Sequence, residues 1–192
     1  MKKSDLGLLF FIGILGYVIF MNKKDITNYV EEKISGINNS FDDVFKNIGK
    51  KIGISPRIIK AVSANESSVG LDKRVEKIGN TQGVMHVIYD TAKRFYPNLK
   101  EGEHKTLSTE KDVEIGAKYL SFLFKKYNNT EYAIKAYNGG EGRMNQIIAY
   151  QKTKTFKPIK TGDTLDKMLN ANKNMTVYWE RYQRNYNKLG IA

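Results

Sequence analysis

The sequence predicts a mainly α-helical protein with one small irregular or β insert and an N-terminal transmembrane helix. Beyond residue 54, apolar residues recur at steps of three and four along most of the chain, which is typical of helices that bury one face. Residues 73–87 depart from this period, because polar and apolar residues alternate there around Gly79 and Gly83. Residues 6–21 carry no charged side chain, which favours a membrane segment over a surface helix.

The apolar run is flanked by Lys2 and Lys3 on one side and by Lys23 and Lys24 on the other. As a helix, residues 6–21 would rise about 24 Å, slightly less than a hydrocarbon core of about 30 Å. A cleavable signal peptide needs small residues at its cleavage site, and the stretch YVIFMNKKDI offers none. We therefore expect an uncleaved anchor over residues 1–24. Because lysines flank both ends, charge alone leaves its orientation open.

The segment 25–53 is predicted to form two short amphipathic helices that connect the anchor to a domain spanning residues 54–192. Its apolar residues repeat at helical steps, and the stretch GINNS at 36–40 interrupts them. The residues that carry the repeat are Ile26, Val30, Ile34, Ile37, Phe41 and Phe45.

The domain opens with Ser55 followed by Pro56, a cap residue and a proline suited to the first helical position. The helix that follows includes the stretch RIIKAVSANESS. Asn138, Gly139 and Gly140 predict a helix stop, since these residues tolerate left-handed dihedral angles. Further helices are predicted over residues 112–127, 131–137, 143–152, 163–171 and 176–189.

The composition restricts the chemistry that the protein can perform. The chain has no cysteine, which excludes disulfides, thiol catalysis and cysteine zinc sites. Its two histidines argue against a histidine-rich metal site. A net charge of +12 favours polyanionic partners, either nucleic acid or the acidic surface of a membrane or cell envelope. Lysine and arginine are spread over nearly every segment, which argues against a nucleic-acid-binding stripe.

Glu66 stands out because it shares a helical face with Ile59 and Val62, at steps of four and three residues. A carboxyl group at the edge of a core is partly removed from water, and burial favours its protonated form. A protonated carboxyl group is what general acid catalysis at a glycosidic oxygen requires. A glutamate in the last turn of a helix can also simply face solvent, and the position by itself leaves both interpretations open.

Three motifs accompany Glu66 in a fixed order: ESS at 66–68, QGVMHVIYDTA at 82–92 and AIKAYNGGEGR at 133–143, followed by a tyrosine-rich final helix. This series resembles the soluble lytic transglycosylase (SLT) family of the lysozyme superfamily, over approximately Ile54 to Leu189. The resemblance implies a lysozyme-like helical domain. It also implies cleavage of the β-1,4 bond between N-acetylmuramic acid and N-acetylglucosamine in peptidoglycan, with 1,6-anhydro ends and without a metal or organic cofactor.

The resemblance assigns a role to each matching residue. Glu66 corresponds to the general acid and base, and the expected substrate-binding residues are Ser67, Gly83, Met85, His86, Tyr137, Asn138 and Tyr178. His86 stands where the family pattern has glutamine, so it either replaces the hydrogen bonds of that glutamine or adds a second titrating group. The acidic residue commonly expected near Asn174 is absent. Two further carboxylates, Asp72 and Asp90, are interpreted as structural.

The expected partners are peptidoglycan glycan strands, a membrane contacted through residues 6–21, and virion or envelope proteins; no nucleic acid is expected. The C-terminal domain is expected outside the cytoplasmic membrane, in the periplasm, or in a virion membrane, where it would open the wall locally for a virus or for an envelope machine. Two alternatives remain. One is a non-catalytic glycan-binding or structural virion membrane protein with a lysozyme-like fold, and the other is a hydrolytic lysozyme of the goose type.

Overall fold

The computed structural model describes residues 41–69 and 83–189, and within these two stretches it contains seven α-helices and no strand. The mainly α-helical class is therefore confirmed. A short 3₁₀ helix, Glu103–Thr106, was not predicted. The helices in chain order are α1 (Asp42–Ile52), α2 (Pro56–Ser67), α3 (Tyr89–Phe95), α4 (Thr109–Tyr127), α5 (Thr130–Gly139), α6 (Glu141–Thr153) and α7 (Leu165–Lys188).

Two sequence predictions fall wholly or partly outside the described residues. The predicted anchor at 1–24 does, and so do residues 25–40 of the connecting segment. No helix in the described part of the chain has the length and apolar character needed to cross a membrane. Residues 73–82 of the predicted insert also lie outside. Of its last residues, 83–86 form a turn and Val87 follows directly; the segment Gly83–Val87 is called the turn below.

The core is assembled around α4, which packs against α1, α2, α3 and α5. Ile115, Leu120 and Leu123 of this helix are fully buried. Ser108 caps the helix, because its side chain accepts a hydrogen bond from the backbone N–H of Lys111 at 3.3 Å. On the other side of the domain, α7 packs against α2, α5 and α6. The two longest helices thus enclose α2 and α5, which carry much of the candidate site.

Helix α1 lies in the segment predicted to connect the anchor to the domain, and it contributes the fully buried Phe45 to the core. The side chain of Lys60 in α2 is buried and pairs with Asp42 at the start of α1, with 2.6 Å between Nζ and Oδ1. Close packing at the other end of α1 needs Gly49, since a Cβ atom there would lie 2.7 Å from the carbonyl oxygen of Ile54. These contacts fix α1 against the start of α2.

The end of α2 explains why its apolar face runs into small and polar residues. The helix stops directly after Glu66 and Ser67, and Ser68 and Val69 then adopt left-handed φ angles of 52° and 56°. A β-branched residue rarely takes this conformation. Val69 does so while fully buried, with its N–H bonded to the carbonyl oxygen of Ser63 at 3.3 Å. The burial of Val69 and its bond to Ser63 therefore fix the end of α2, where Glu66 lies.

The last helix differs from the sequence prediction, which divided it into helices at 163–171 and 176–189. The structure has one continuous helix, α7, from Leu165 to Lys188. The gap between the two predicted helices, residues 172–175, begins with the polar stretch 172–174 and contains neither glycine nor proline. Met168 and Met175 are both buried, and they stand seven residues apart, which is two helical turns. The buried face thus keeps its phase across the polar stretch.

The continuity of α7 can be tested at Asn174, which is exposed in the middle of the helix. Asn174→Pro should lower the free energy of unfolding by about 3 kcal/mol, because proline removes a helical hydrogen bond and clashes with the preceding turn. Asn174→Ala is the matched control and should raise stability by up to about 0.5 kcal/mol. Urea unfolding measures both. A proline variant as stable as the wild type would place a break between two helices here.

Candidate active site

Glu66 lines a cleft of about 310 Å³, and its side chain is 14% exposed. The carboxyl group is therefore largely withdrawn from water, as its place on the apolar face of α2 predicted, but it remains open to a ligand. The residues that share the cleft with it are His86, Val87, Ile88, Thr91, Tyr119, Tyr137, Asn138 and Gly140.

Tyr178 of α7 holds one oxygen of the Glu66 carboxyl group. Its hydroxyl donates a hydrogen bond of 2.6 Å to Glu66 Oε1, and the tyrosine itself is buried. Burial, followed by the nearby charge of Glu66, raises the pKa of Tyr178 well above its ordinary value. The hydroxyl consequently keeps its proton and remains a donor to the carboxylate.

The neighbouring residue Asn65 ties α2 to the same helix. Its amide donates to the backbone carbonyl of Tyr178 at 2.9 Å, and its side-chain oxygen accepts from Asn185 at 2.8 Å. Tyr178 and Asn185 stand seven residues apart on α7, which is about two helical turns. Because Asn65 bonds both of them, it fixes the axial position of α7 against α2. Glu66 and Tyr178 are thereby held in register.

Ser67 was predicted to contact substrate or to orient Glu66. The structure places it in the interior, where its hydroxyl donates to the backbone carbonyl of Val84 at 2.8 Å. Ser63, one turn earlier, donates to the same carbonyl at 3.1 Å. The serines of α2 thus hold the turn Gly83–Val87 beside the end of the helix that carries Glu66.

The side chain of Met85 is fully buried and does not line the cleft. It packs on α4 at Gly116, where a Cβ atom would lie 2.8 Å from the Met85 Cβ. The backbone of Met85 makes the contacts nearer the site. Its carbonyl accepts a hydrogen bond of 2.9 Å from the Tyr137 hydroxyl, and its N–H donates one of 2.7 Å to Asp112 Oδ2. Met85 therefore supports the cleft from beneath.

Gly83 is exposed and does not line the cleft. It has a φ angle of 99°, and a Cβ atom there would lie 2.6 Å from the carboxyl carbon of Asp112. Both the backbone conformation and the close carboxylate require a glycine at this position.

His86 contacts the second oxygen of Glu66, with 3.3 Å between Nδ1 and Oε2. Its φ angle of 51° is left-handed, which turns the side chain from the loop toward the cleft. Its Nε2 atom is buried and has no hydrogen-bond partner among the described residues. The histidine thus occupies a place from which it can bond the carboxyl group, as a replacement for glutamine would.

Tyr137 and Asn138 line the cleft across from Glu66, near the end of α5. The resemblance implies that the Tyr137 hydroxyl positions either the acid or the substrate. In the structure it bonds the carbonyl of Met85, and Tyr178 makes the direct contact with Glu66. Burial and then the charge of Glu66 raise the pKa of Tyr137 well above its ordinary value. Gly140 has a φ angle of 80° and ends α5, as the Asn-Gly-Gly stretch predicted.

Among the described residues that line the cleft, Glu66 is the one carboxylate. Asp90 is exposed in the first turn of α3, and Asp112 is buried beneath the turn; Asp72 lies outside the described residues. No group of three or more His, Asp or Glu side chains suited to a metal ion occurs within residues 41–69 and 83–189. The arrangement is one of a single acid, held by a tyrosine, in an open cleft.

Comparison with known families identifies the family to which the chain belongs. Residues 43–160 match the family model described as "Transglycosylase SLT domain", which covers more than half of the chain. The chain belongs to the SLT domain family. A curated relative, the soluble lytic murein transglycosylase of Salmonella typhimurium strain LT2, is 27% identical over 110 residues. The match covers 55% of this chain and 17% of the relative, so the chain corresponds to less than a fifth of that protein.

Several residues that form the cleft of this SLT domain were missed by sequence reasoning. Tyr119 of α4 lies beside Tyr137, with their ring centroids 5.5 Å apart, and burial raises the pKa of Tyr119 to about 12. Thr91 and the half-exposed Ile88 come from the start of α3. Tyr119 lies among the apolar residues of α4, and its hydroxyl was the one signal that it borders a polar cleft.

The packing of the turn on Asp112 can be tested at Gly83. Gly102 has a similar φ angle of 91° with nothing within 4 Å of its Cβ position, so Gly102→Ala reports backbone strain alone. We expect Gly102→Ala to cost roughly 1–3 kcal/mol of folding free energy. Gly83→Ala should cost roughly 2 kcal/mol more, because its methyl group also displaces the Asp112 carboxylate. Equal losses in urea unfolding would contradict the close contact.

Proposed function

We propose that this SLT domain is a peptidoglycan lytic transglycosylase. It cleaves the β-1,4 bond between N-acetylmuramic acid and N-acetylglucosamine and leaves 1,6-anhydro-N-acetylmuramic acid ends. The observation that carries the proposal is the isolated carboxyl group of Glu66 in the cleft, 2.6 Å from a buried tyrosine hydroxyl, in a member of this family. The curated relative is itself named a soluble lytic murein transglycosylase.

Glu66 acts first as the general acid. Its protonated carboxyl group donates a proton to the glycosidic oxygen, and the bond from that oxygen to C1 of the muramic acid breaks. The departing sugar leaves with a hydroxyl group. Tyr178 stabilises the carboxylate that forms, because its hydroxyl already donates to Oε1.

A second carboxylate is not needed in this mechanism. Glycosidases commonly use two, one as acid and one as nucleophile or base. Here Asp112 is buried beneath the turn and cannot reach a sugar in the cleft. The acetamido oxygen of the muramic acid takes that role by bonding to C1, and substrate assistance of this kind is a recognised exception to the two-carboxylate rule.

Glu66 acts next as the base. The carboxylate removes the proton from the 6-hydroxyl of the same muramic acid, O6 bonds to C1, and the bond from the acetamido oxygen to C1 breaks. The carboxyl group is then protonated again, as it was at the start. The net change is loss of the leaving sugar and formation of an internal ether, with no water consumed.

The cleft and the charge of the chain suit this substrate. Tyr119 and Tyr137 offer aromatic surface beside Glu66, and such rings pack well on the faces of sugars. A chain with a net charge of +12 is attracted to the carboxylates and phosphates of cell-wall polymers. The proposed partners are accordingly peptidoglycan glycan strands.

The proposed setting follows from the sequence. An anchor at residues 6–21 would hold the catalytic domain beside the wall, either in the periplasm or on a virion membrane. There the enzyme would open peptidoglycan locally, for a virus during infection or for an envelope machine with its associated proteins. Fractionation of cells and virions with an antibody to the domain tests this location.

Glu66→Gln is the direct test of the reaction. The glutamine keeps the size of the side chain but cannot donate the proton, so turnover of purified peptidoglycan should fall at least about a hundredfold. Mass spectrometry of the released fragments reports the product. Anhydro ends from the wild type support a transglycosylase, and reducing ends indicate a hydrolytic lysozyme. Binding without any released fragment would indicate the non-catalytic glycan binder.

Tyr178→Phe tests the hydrogen bond that holds the acid. Loss of a hydroxyl bonded to a carboxylate should lower kcat about tenfold and change KM little, because the sugar does not contact this buried side chain. Tyr182→Phe is the matched control, one turn further along α7, where the ring stacks on Trp179. A kcat lowered equally in both variants would indicate a general effect on α7.

A further inference from the structure

The turn Gly83–Val87 is held by side chains from three helices. From α2, Ser63 and Ser67 donate to the carbonyl of Val84. From α5, the Tyr137 hydroxyl donates to the carbonyl of Met85. These bonds satisfy two of the turn's backbone acceptors and leave its N–H donors to be accounted for.

Asp112 of α4 supplies the acceptor for those donors. Its Oδ2 atom accepts the N–H of Met85 at 2.7 Å, and the N–H groups of Val84 and Val87 also favour the charged form of the carboxyl group. Gly83 lies so close that a Cβ atom would meet the carboxylate. The turn is therefore wrapped around the Asp112 side chain, and Asp112 as a whole is only 2% exposed.

An ionised carboxylate in this position is costly to the fold. Burial raises the pKa of Asp112 from 3.8 to about 6, although the hydrogen bonds from the turn oppose that rise. Its Oδ1 atom is buried and makes no hydrogen bond among the described residues. A neutral side chain would cost the fold less, so stability alone does not account for an aspartate here.

The turn that Asp112 holds carries two groups of the candidate site. His86 reaches Glu66 Oε2 from the turn, and the Met85 carbonyl holds the Tyr137 hydroxyl at the opposite wall of the cleft. A shift of the Met85 N–H would therefore move both walls relative to Glu66. Misplacement of reacting groups by about 1 Å can cost a hundredfold in rate.

We propose that Asp112 is a positioning residue of the site: its carboxylate fixes the turn Gly83–Val87 and so sets His86 and Tyr137 around Glu66. This inference rests on the proposed transglycosylase activity, but the geometry it describes can be measured without that activity. Asp112 contacts no substrate, because it lies beneath the turn and does not line the cleft.

The position implies a dependence on pH. Two titratable groups act on Asp112 through their charge, His86 from the turn and Tyr137 from α5. Lys51 of α1 pairs with Glu114 of α4 at 3.0 Å. When Asp112 takes up a proton, the charge-assisted acceptor for the turn is lost. Since the pKa of Asp112 is about 6, the turn is held firmly above that pH and less firmly below it.

Asp112→Asn is the decisive variant, because it keeps the shape and one acceptor oxygen but carries no charge. We expect the wild type to exceed Asp112→Asn in kcat by about tenfold at pH 7.5, with similar KM. At pH 5 the wild-type aspartate is mostly protonated and resembles asparagine, so the ratio should fall to about twofold. Glu110→Gln, an exposed acid in the first turn of α4, should match the wild type at both pH values.

Stability should move in the opposite direction from activity. A raised pKa in the folded state means that the contribution of Asp112 to the free energy of unfolding falls as the pH rises from about 4 to about 6. Asp112→Asn lacks this fall, so its Tm at pH 7.5 should be no lower than that of the wild type. A purely structural role predicts a lower Tm and an activity ratio that does not change with pH.

A readout independent of catalysis is the NMR spectrum of the wild type. The amide proton of Met85 should shift with a midpoint near pH 6, as its acceptor titrates. At pH 7.5 the ring protons of His86 should shift in Asp112→Asn and not in Glu110→Gln. Shifts without peptidoglycan cleavage would refute the enzyme but retain the positioning role. An unchanged Met85 amide between pH 5 and 7.5 would overturn the positioning role itself, and this measurement needs no variant to fold.

Discussion

The site depends on the hydrogen bond between the Tyr178 hydroxyl and the carboxyl group of Glu66. A carboxyl group withdrawn from water must be given partners by the protein, and those partners lie far away in the chain. Tyr178 is 112 residues from Glu66 in sequence and is brought to it by α7. The Tyr178 hydroxyl stays 2.6 Å from the carboxylate only if α7 does not slide along α2. The hydrogen bonds of Asn65 to Tyr178 and Asn185 prevent that movement.

Much of the fold was readable from the sequence because local rules set it. Ser55 and Pro56 started α2, the apolar period of α4 marked its buried face, and Gly140 ended α5. The continuity of α7 was not predicted. Its middle turn exposes polar side chains, whereas the buried phase that Met168 and Met175 preserve runs through that turn.

For the site, the sequence indicated which residues lie there better than it indicated what each residue does. The phase of Glu66 on α2 followed from spacing, whereas the resemblance supplied Tyr137, Tyr178 and the turn. Which tyrosine would bond the acid depended on how α5 and α7 meet α2, and no local pattern records that. Ser67 shows the same limit, because its hydroxyl turned inward to Val84 although its neighbour faces the cleft. Tyr119 was absent from the prediction because it lies among the apolar residues of α4, which indicate a helix buried in the core.

Three acids of the domain that are largely withdrawn from water differ in the groups that partner them. Asp42 is paired with Lys60, and Glu114 accepts from Lys51 and Lys118. Although burial favours its protonated form, those lysines lower the pKa of Glu114 to about 2. Asp112, beneath the turn Gly83–Val87, is held by backbone N–H groups of that turn instead. A lysine there would place a fixed positive charge beside His86, which contacts Glu66. Backbone donors hold the turn without adding that charge.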